Sequence, residues 1–206
     1  MAVRVKICGV TTPEDAALCA AAGADAVGLN FWSGSKRYVA VERAVEIAAA
    51  LPSSVLKVGV FVDASRSAIT RTIAAVGLDC VQLHGDEEPP DCVGYAGVQV
   101  IKALRVGRDR DTTLEAALRF TVDWVLLDAA VGGAFGGGGR GFDWTRAVGI
   151  APGRLFLAGG LTPDNVAEAI RVVSPAYVDV ASGVETEPGR KDPARVREFI
   201  VNAKHA

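Results

Sequence analysis

The stretch Arg154–Glu185, RLFLAGGLTPDNVAEAIRVVSPAYVDVASGVE, decides how the chain is read. Leu155 to Ala158 is a short apolar run halted by Gly159-Gly160. Thr162-Pro163 then opens an amphipathic helix, with Thr162 as N-cap and Pro163 at the first helical position. Val166, Ala169, Ile170 and Val173 keep one apolar face at helical spacing. Tyr177 to Val180 is a second strand, closed by Ala181-Ser182-Gly183. Glycines directly after parallel strands let backbone amides close on an anion, and a helix N-terminus adds a favourable field. In a (β/α)₈ barrel the loops after strands seven and eight commonly seat a phosphate. A lone Gly-Gly would be read as a tight turn. Two glycine turns on neighbouring strands favour a phosphate seat built from Gly159, Gly160, Ser182 and Gly183.

Working outward, strand and helix signals alternate along the whole chain. Strands are expected at Val3–Cys8, Ala26–Phe31, Leu56–Phe61, Cys80–Leu83, Val98–Leu104 and Trp124–Leu127, before the two just named. Helices are expected after Thr12, from Val41 to Leu51, and from Asp63 or Ser65 to Val76. Short helices follow at Pro90–Tyr95 and from Asp143, with longer ones at Thr112–Phe120 and from Asp192-Pro193 to Lys204. Near-continuous apolar strands between amphipathic helices mean a parallel sheet covered by helices. Eight such units in 206 residues, with no linker or break in composition, point to one small (β/α)₈ TIM barrel domain spanning residues 1–206. A doubly wound open sheet would want GxGxxG after its first strand, and Cys8-Gly9-Val10-Thr11 is not that.

Composition narrows the function. Half of the residues are apolar and the net charge is −2, with no basic block, so neither a disordered chain nor a nucleic-acid surface is expected. No apolar run is long enough to cross a bilayer, and the N-terminal residues do not read as a secretory leader. Cys8, Cys19, Cys80 and Cys92 form neither CxxC pairs nor a disulfide framework, which fits free thiols in a cytoplasm. With two histidines and no metal-ligand spacing, no metal is expected.

Catalytic groups of such a barrel sit where its strands end. Lys6 and Cys8 share one face of the first strand. If that face is inward, an ammonium lies beneath a thiol and favours the thiolate. Taken alone, a strand cysteine is more often an inert buried thiol. Asp128 ends the run WVLLD without a helix starting at once after it, so a capping role is weakened and a role in the site favoured. Cys8 and Asp128 together make an acid/base pair on separated strands. Arg37, in the loop after strand two, suits a substrate carboxylate as well as it suits a solvated loop. His84, Lys102, Arg105 and Asp179 also lie at or near strand ends, and Gly132–Gly141 reads as a glycine-rich loop able to close.

These residues resemble a known family, phosphoribosylanthranilate isomerase. The resemblance is carried by KICGVT at Lys6–Thr11, SKRYV at Ser35–Val39, VGVFV at Val58–Val62 and QLHGDE at Gln82–Glu87. It continues through LLDAAVGG at Leu126–Gly133, FDW at Phe142–Trp144, LAGGLTPDNV at Leu157–Val166 and DVASGVE at Asp179–Glu185. It implies an Amadori rearrangement of N-(5-phosphoribosyl)anthranilate in tryptophan biosynthesis, with no cofactor and no metal. By resemblance Cys8 is the general base, Asp128 the general acid and Arg37 the carboxylate clamp. Gly159, Gly160, Ser182 and Gly183 then hold phosphate, with His84 and Asp179 as further substrate-binding residues. The partner is thus a small phosphosugar, and monomer or homodimer both fit. The loop departs from the family pattern, reading GGGGRGFDW, so its substrate contacts are expected to differ. Two other readings stay open. A histidine-pathway isomerase would want a carboxylate on strand one, and a non-catalytic phosphate-binding barrel would not need Cys8 or Asp128.

Overall fold

The computed structural model describes residues 3–106, 109–129 and 142–206. Eight parallel strands close into a barrel in sequence order. They are β1 (Arg4–Cys8), β2 (Ala26–Asn30), β3 (Leu56–Phe61), β4 (Cys80–Leu83), β5 (Gln99–Arg105), β6 (Trp124–Asp128), β7 (Leu155–Leu157) and β8 (Tyr177–Val180). β1 pairs with β8 as well as with β2, which seals the cylinder and sets Lys6 beside Asp179. The helices are α1 (Pro13–Ala22), α2 (Val41–Ala49), α3 (Arg66–Val76), α4 (Arg110–Leu118), α5 (Val166–Val173) and α6 (Pro193–Lys204). Short 3₁₀ turns at Pro89–Cys92 and Trp144–Ala147 stand where two further helices would lie. Among the described residues no helix is long and apolar enough to cross a membrane.

Strand alternation sorts the side chains into two cores. Ala26, Val58, Cys80, Ile101, Ala103, Leu126, Phe156, Ala158 and Tyr177 fill the barrel interior. Phe156 and Tyr177 stack there, with centroids 4.0 Å apart. The alternate residues, such as Ile7, Leu29, Val81, Leu127 and Val178, pack outward against the helices. Strand termini are tied by carboxylates one βα unit away. Asp25 accepts from the Val5 amide, Asp79 from Lys57 and Asp123 from Val100, each at 2.8 Å.

Local signals explain most boundaries. Thr12, Ser65 and Asp192 cap their helices through side-chain oxygens, and Gly23 and Gly77 end theirs in the left-handed region. The start of α5 differs from expectation. Thr162 does not cap it through its side chain, and the helix begins at Val166 after a turn. Asn165 explains the difference, because its Oδ1 accepts the Thr162 amide at 2.8 Å and its Nδ2 donates to Gly160 O at 3.0 Å. That side chain ties the glycine turn to the helix. After β8 a hairpin appears that no sequence signal announced, β9 (Glu185–Glu187) with β10 (Arg190–Lys191).

Candidate active site

Lys6 and Cys8 lie on the inward face of β1, and the facing position on β2 is Gly28. A Cβ there would stand 2.9 Å from Cys8 Sγ and 3.2 Å from Lys6 Nζ, so only glycine leaves room for both. Lys6 Nζ donates to Asp179 Oδ1 at 2.8 Å, and both side chains are buried. Burial alone would lower the Lys6 pKa, but Asp179 and Cys8 outweigh it and hold the ammonium charged. Cys8 itself departs from the expected thiolate. Burial pushes its thiol up and Asp179 adds to the rise, against the pull of Lys6 and Lys191. The physical reason is burial, which outweighs two cations that are each also paired with a carboxylate, Lys6 with Asp179 and Lys191 with Glu185. The thiol is half-buried, whereas Cys19, Cys80 and Cys92 are buried.

Asp128 ends β6 on the same inward side as Leu126, separated from Cys8's strand by β7 and β8. Its Oδ1 accepts the Ala129 amide at 2.8 Å, and its Oδ2 lies 3.4 Å from His84 Nε2. His84 Nδ1 in turn lies 2.8 Å from Gln82 Nε2. The imidazole thus bridges Gln82 and Asp128 through its two ring nitrogens. His84 therefore belongs with the candidate acid. Lys102 and Arg105, the other polar residues near the end of β5, part company, for Arg105 is the register partner of Asp128 and lines the same pocket as His84 and Asp128. Lys102 points outward, donating to Gly85 O at 2.8 Å and to Glu87 at 2.6 Å, and so braces the loop that carries His84. Arg105 lies 3.9 Å from Asp86.

Arg37 is not a solvated loop charge. Its stem lies over Gly9, where a Cβ would collide with it. Its Nε donates to both oxygens of Glu185, at 2.8 and 3.1 Å, and its Nη2 donates at 2.6 Å. None of these bonds uses Nη1. Lys191 Nζ reaches the same carboxylate at 2.7 Å and also donates to the Cys8 carbonyl at 2.6 Å. Burial works against the Glu185 charge, yet Arg37 and Lys191 outweigh it and hold the carboxyl below its ordinary range. Glu185 and Lys191 escaped the reading of the residues. The sole trace was Glu185 closing the quoted stretch.

The glycine turns divide between two tasks. Gly159 and Gly160 both take positive φ, 84° and 71°. A Cβ on Gly159 would stand 2.6 Å from the Ala129 amide nitrogen and 3.1 Å from Asp128 Oδ1, so this glycine clears space for the candidate acid. Gly160, Ser182 and Gly183 line a common depression of about 450 Å³ with Thr162, Arg195 and Glu198. Gly183 leaves no room for a Cβ against Leu161 O, which is how closely the two loops meet. The glycine-rich loop Gly132–Gly141 falls outside the described residues.

Comparison with known proteins decides what this barrel is. Residues 5–202 match the family model described as N-(5'phosphoribosyl)anthranilate (PRA) isomerase. The chain belongs to this family. A curated N-(5'-phosphoribosyl)anthranilate isomerase from Pelobacter propionicus is 50% identical over 203 residues, covering 98% of this chain and 96% of the relative. A crystal structure from Thermotoga maritima, described as monomers generated from a dimeric phosphoribosylanthranilate isomerase, has a TM-score of 0.85 at 43% identity. It aligns over 99% of this chain and 100% of its own. A further isomerase structure, holding reduced 1-(o-carboxyphenylamino)-1-deoxyribulose 5-phosphate, has a TM-score of 0.84 at 42% identity, over 99% of this chain and 100% of that one. Membership of the phosphoribosylanthranilate isomerase family makes the chain an aldose–ketose isomerase.

Proposed function

We propose that Cys8 and Asp128 carry out, as base and acid, the Amadori rearrangement of N-(5-phosphoribosyl)anthranilate to 1-(2-carboxyphenylamino)-1-deoxyribulose 5-phosphate. What supports the reading is their placement on inward faces of β1 and β6 at one mouth of the barrel, each in a different electrostatic setting. Asp128 in its protonated form gives its proton to the furanose ring oxygen. The anthranilate nitrogen supplies the electron pair, the C1–O bond breaks and an iminium forms. Cys8 as thiolate takes the proton from C2, the electron pair moves into the C1–C2 bond, and the resulting enolamine tautomerises to the ketone. Burial that lifts the thiol also makes its thiolate a stronger base, while Lys6 and Lys191 keep that anion accessible. His84 holds the acid in place, and Asp179 fixes Lys6 beneath the base. Arg37 binds the aromatic carboxylate, and the Gly159-Gly160 and Ser182-Gly183 turns bind the phosphate through backbone amides.

In this reading the whole chain is one barrel domain working in the cytoplasm on a small phosphosugar, as a monomer or homodimer. The test is a pair of variants, Cys8→Ala and Asp128→Asn. Each is expected to lower turnover by about 10²- to 10⁴-fold. Binding of a reduced product analogue, followed by calorimetry, is expected to persist in both. Full activity in either variant overturns the assignment.

A further inference from the structure

Two cations, Arg37 and Lys191, share the single carboxylate of Glu185. The Glu185 and Lys191 side chains are 3% and 0% exposed, and that of Arg37 is 14% exposed. The cluster is built across the fold. Arg37 comes from the loop after β2, and Glu185 and Lys191 come from the β9–β10 hairpin. The hairpin is fastened to the loop after β1 by Thr11 Oγ1, which donates to Gly189 O at 2.6 Å, and by Lys191 Nζ on the Cys8 carbonyl. Gly189 N adds a 3.3 Å bond to Glu185 Oε1. Arg37 is therefore held in a fixed relation to Cys8.

We propose that Glu185, seated by Lys191, is a positioning residue that sets Arg37 for recognition of the substrate's aromatic carboxylate. This rests on the reading of Arg37 as the carboxylate clamp. Three observations carry it. The side edge of the guanidinium, Nε with Nη2, is taken by Glu185, while the bonds leave Nη1 uncommitted. A second carboxylate can thus be met at the far end of the same planar group. Two cations face one carboxylate, so the cluster keeps a surplus positive charge suited to one more anion. A free arginine side chain loses rotamer entropy when it is ordered, and here the fold has already ordered it. Without the Glu185 charge, Arg37 and Lys191 repel and the clamp is no longer aimed.

The experiment compares two substrates, made by condensing ribose 5-phosphate with anthranilate or with aniline, which lacks the carboxylate. The quantity read is the ratio of kcat/KM for the first to that for the second. Arg37→Met is expected to collapse this ratio, and if it lowers both substrates equally, the carboxylate reading of Arg37 itself fails. Glu185→Gln is expected to cut the ratio by about tenfold to a hundredfold, mainly through KM for the anthranilate substrate, as misplacement of a binding group does. A general structural defect would instead lower both substrates together. Glu185→Gln/Lys191→Met, which restores the charge balance of the cluster, covers the case in which the single variant does not fold, with the same collapse expected. Should Arg37→Met be selective while the Glu185 variants keep the wild-type ratio, Glu185 does not position the clamp. A ratio that rises would show Glu185 to be a competitor for the substrate's place, which also overturns the proposal.

Discussion

Removing Lys6 tests the electrostatic frame beneath the candidate base. In Lys6→Met, the Asp179 carboxylate loses a 2.8 Å charge-assisted bond in a setting where the two side chains are only 0% and 8% exposed. A carboxylate left alone in such a place costs about 3–5 kcal/mol. That is a large share of the roughly 5–15 kcal/mol that holds a domain together. Replacing both partners, as Lys6→Met/Asp179→Leu, removes the stranded charge as well and is expected to recover at least about 2 kcal/mol. The assay is urea denaturation of wild type, the single and the double variant at pH 7, with the midpoint and slope fitted separately. If the single variant costs less than about 1 kcal/mol, or the double is no more stable than the single, the pair is not the buried, mutually dependent unit described here.

Gly28→Ala should damage the site more than the fold. The new Cβ, 2.9 Å from Cys8 Sγ and 3.1 Å from Cys8 Cα, forces the thiol aside at a cost of about 1–3 kcal/mol in stability. Turnover is expected to fall at least tenfold, and steady-state kinetics beside a thermal melt separate the two effects. The cysteines predict both reactivity and alkaline behaviour. Cys19 and Cys80 are pushed up to about 12 and Cys92 to about 11, each by burial first. A thiol reagent at pH 8 should therefore leave Cys19, Cys80 and Cys92 of the native protein unmodified, and what modification occurs, at half-buried Cys8 and slowed by its raised pKa, should vanish in Cys8→Ser. Because the folded state keeps thiol protons that the unfolded chain releases near the ordinary pKa of 9.0, stability is full below that pH and declines above it. Denaturation midpoints from pH 8 to 10.5 check the decline.

The strands were legible because parallel barrel strands are short, apolar on both faces and bounded by polar turns. β3, β4 and β8 have the bounds that their apolar runs predicted. Ser65, rather than Asp63, caps α3, and Asp63 instead takes a positive φ of 48°. The start of α5 misled because Thr-Pro resembles a capped helix, whereas Asn165 uses its amide to hold the preceding turn. In the site, Lys6 beneath Cys8 followed from strand periodicity alone. The net push on the thiol did not, since it depends first on how deeply the fold buries it and then on charged groups that lie far away in sequence. Glu185 is 148 residues from Arg37, and Asp179 is 173 from Lys6. Gly28 was silent for the same reason, its meaning coming from the neighbouring strand.

The fastening of the β9–β10 hairpin also bears on how the protein is made. Cys8 leaves the ribosome well before the lysine that holds its carbonyl, which follows 183 residues later, and the carbonyl that Thr11 grips follows 178 residues after that threonine. Asp15, at the start of α1, likewise waits 176 residues for the Lys191 amide. The loop around the candidate base thus takes its final form only when the hairpin has been synthesised and docked. A nascent barrel lacking that segment carries its thiol without the contacts that the hairpin makes to the loop around it.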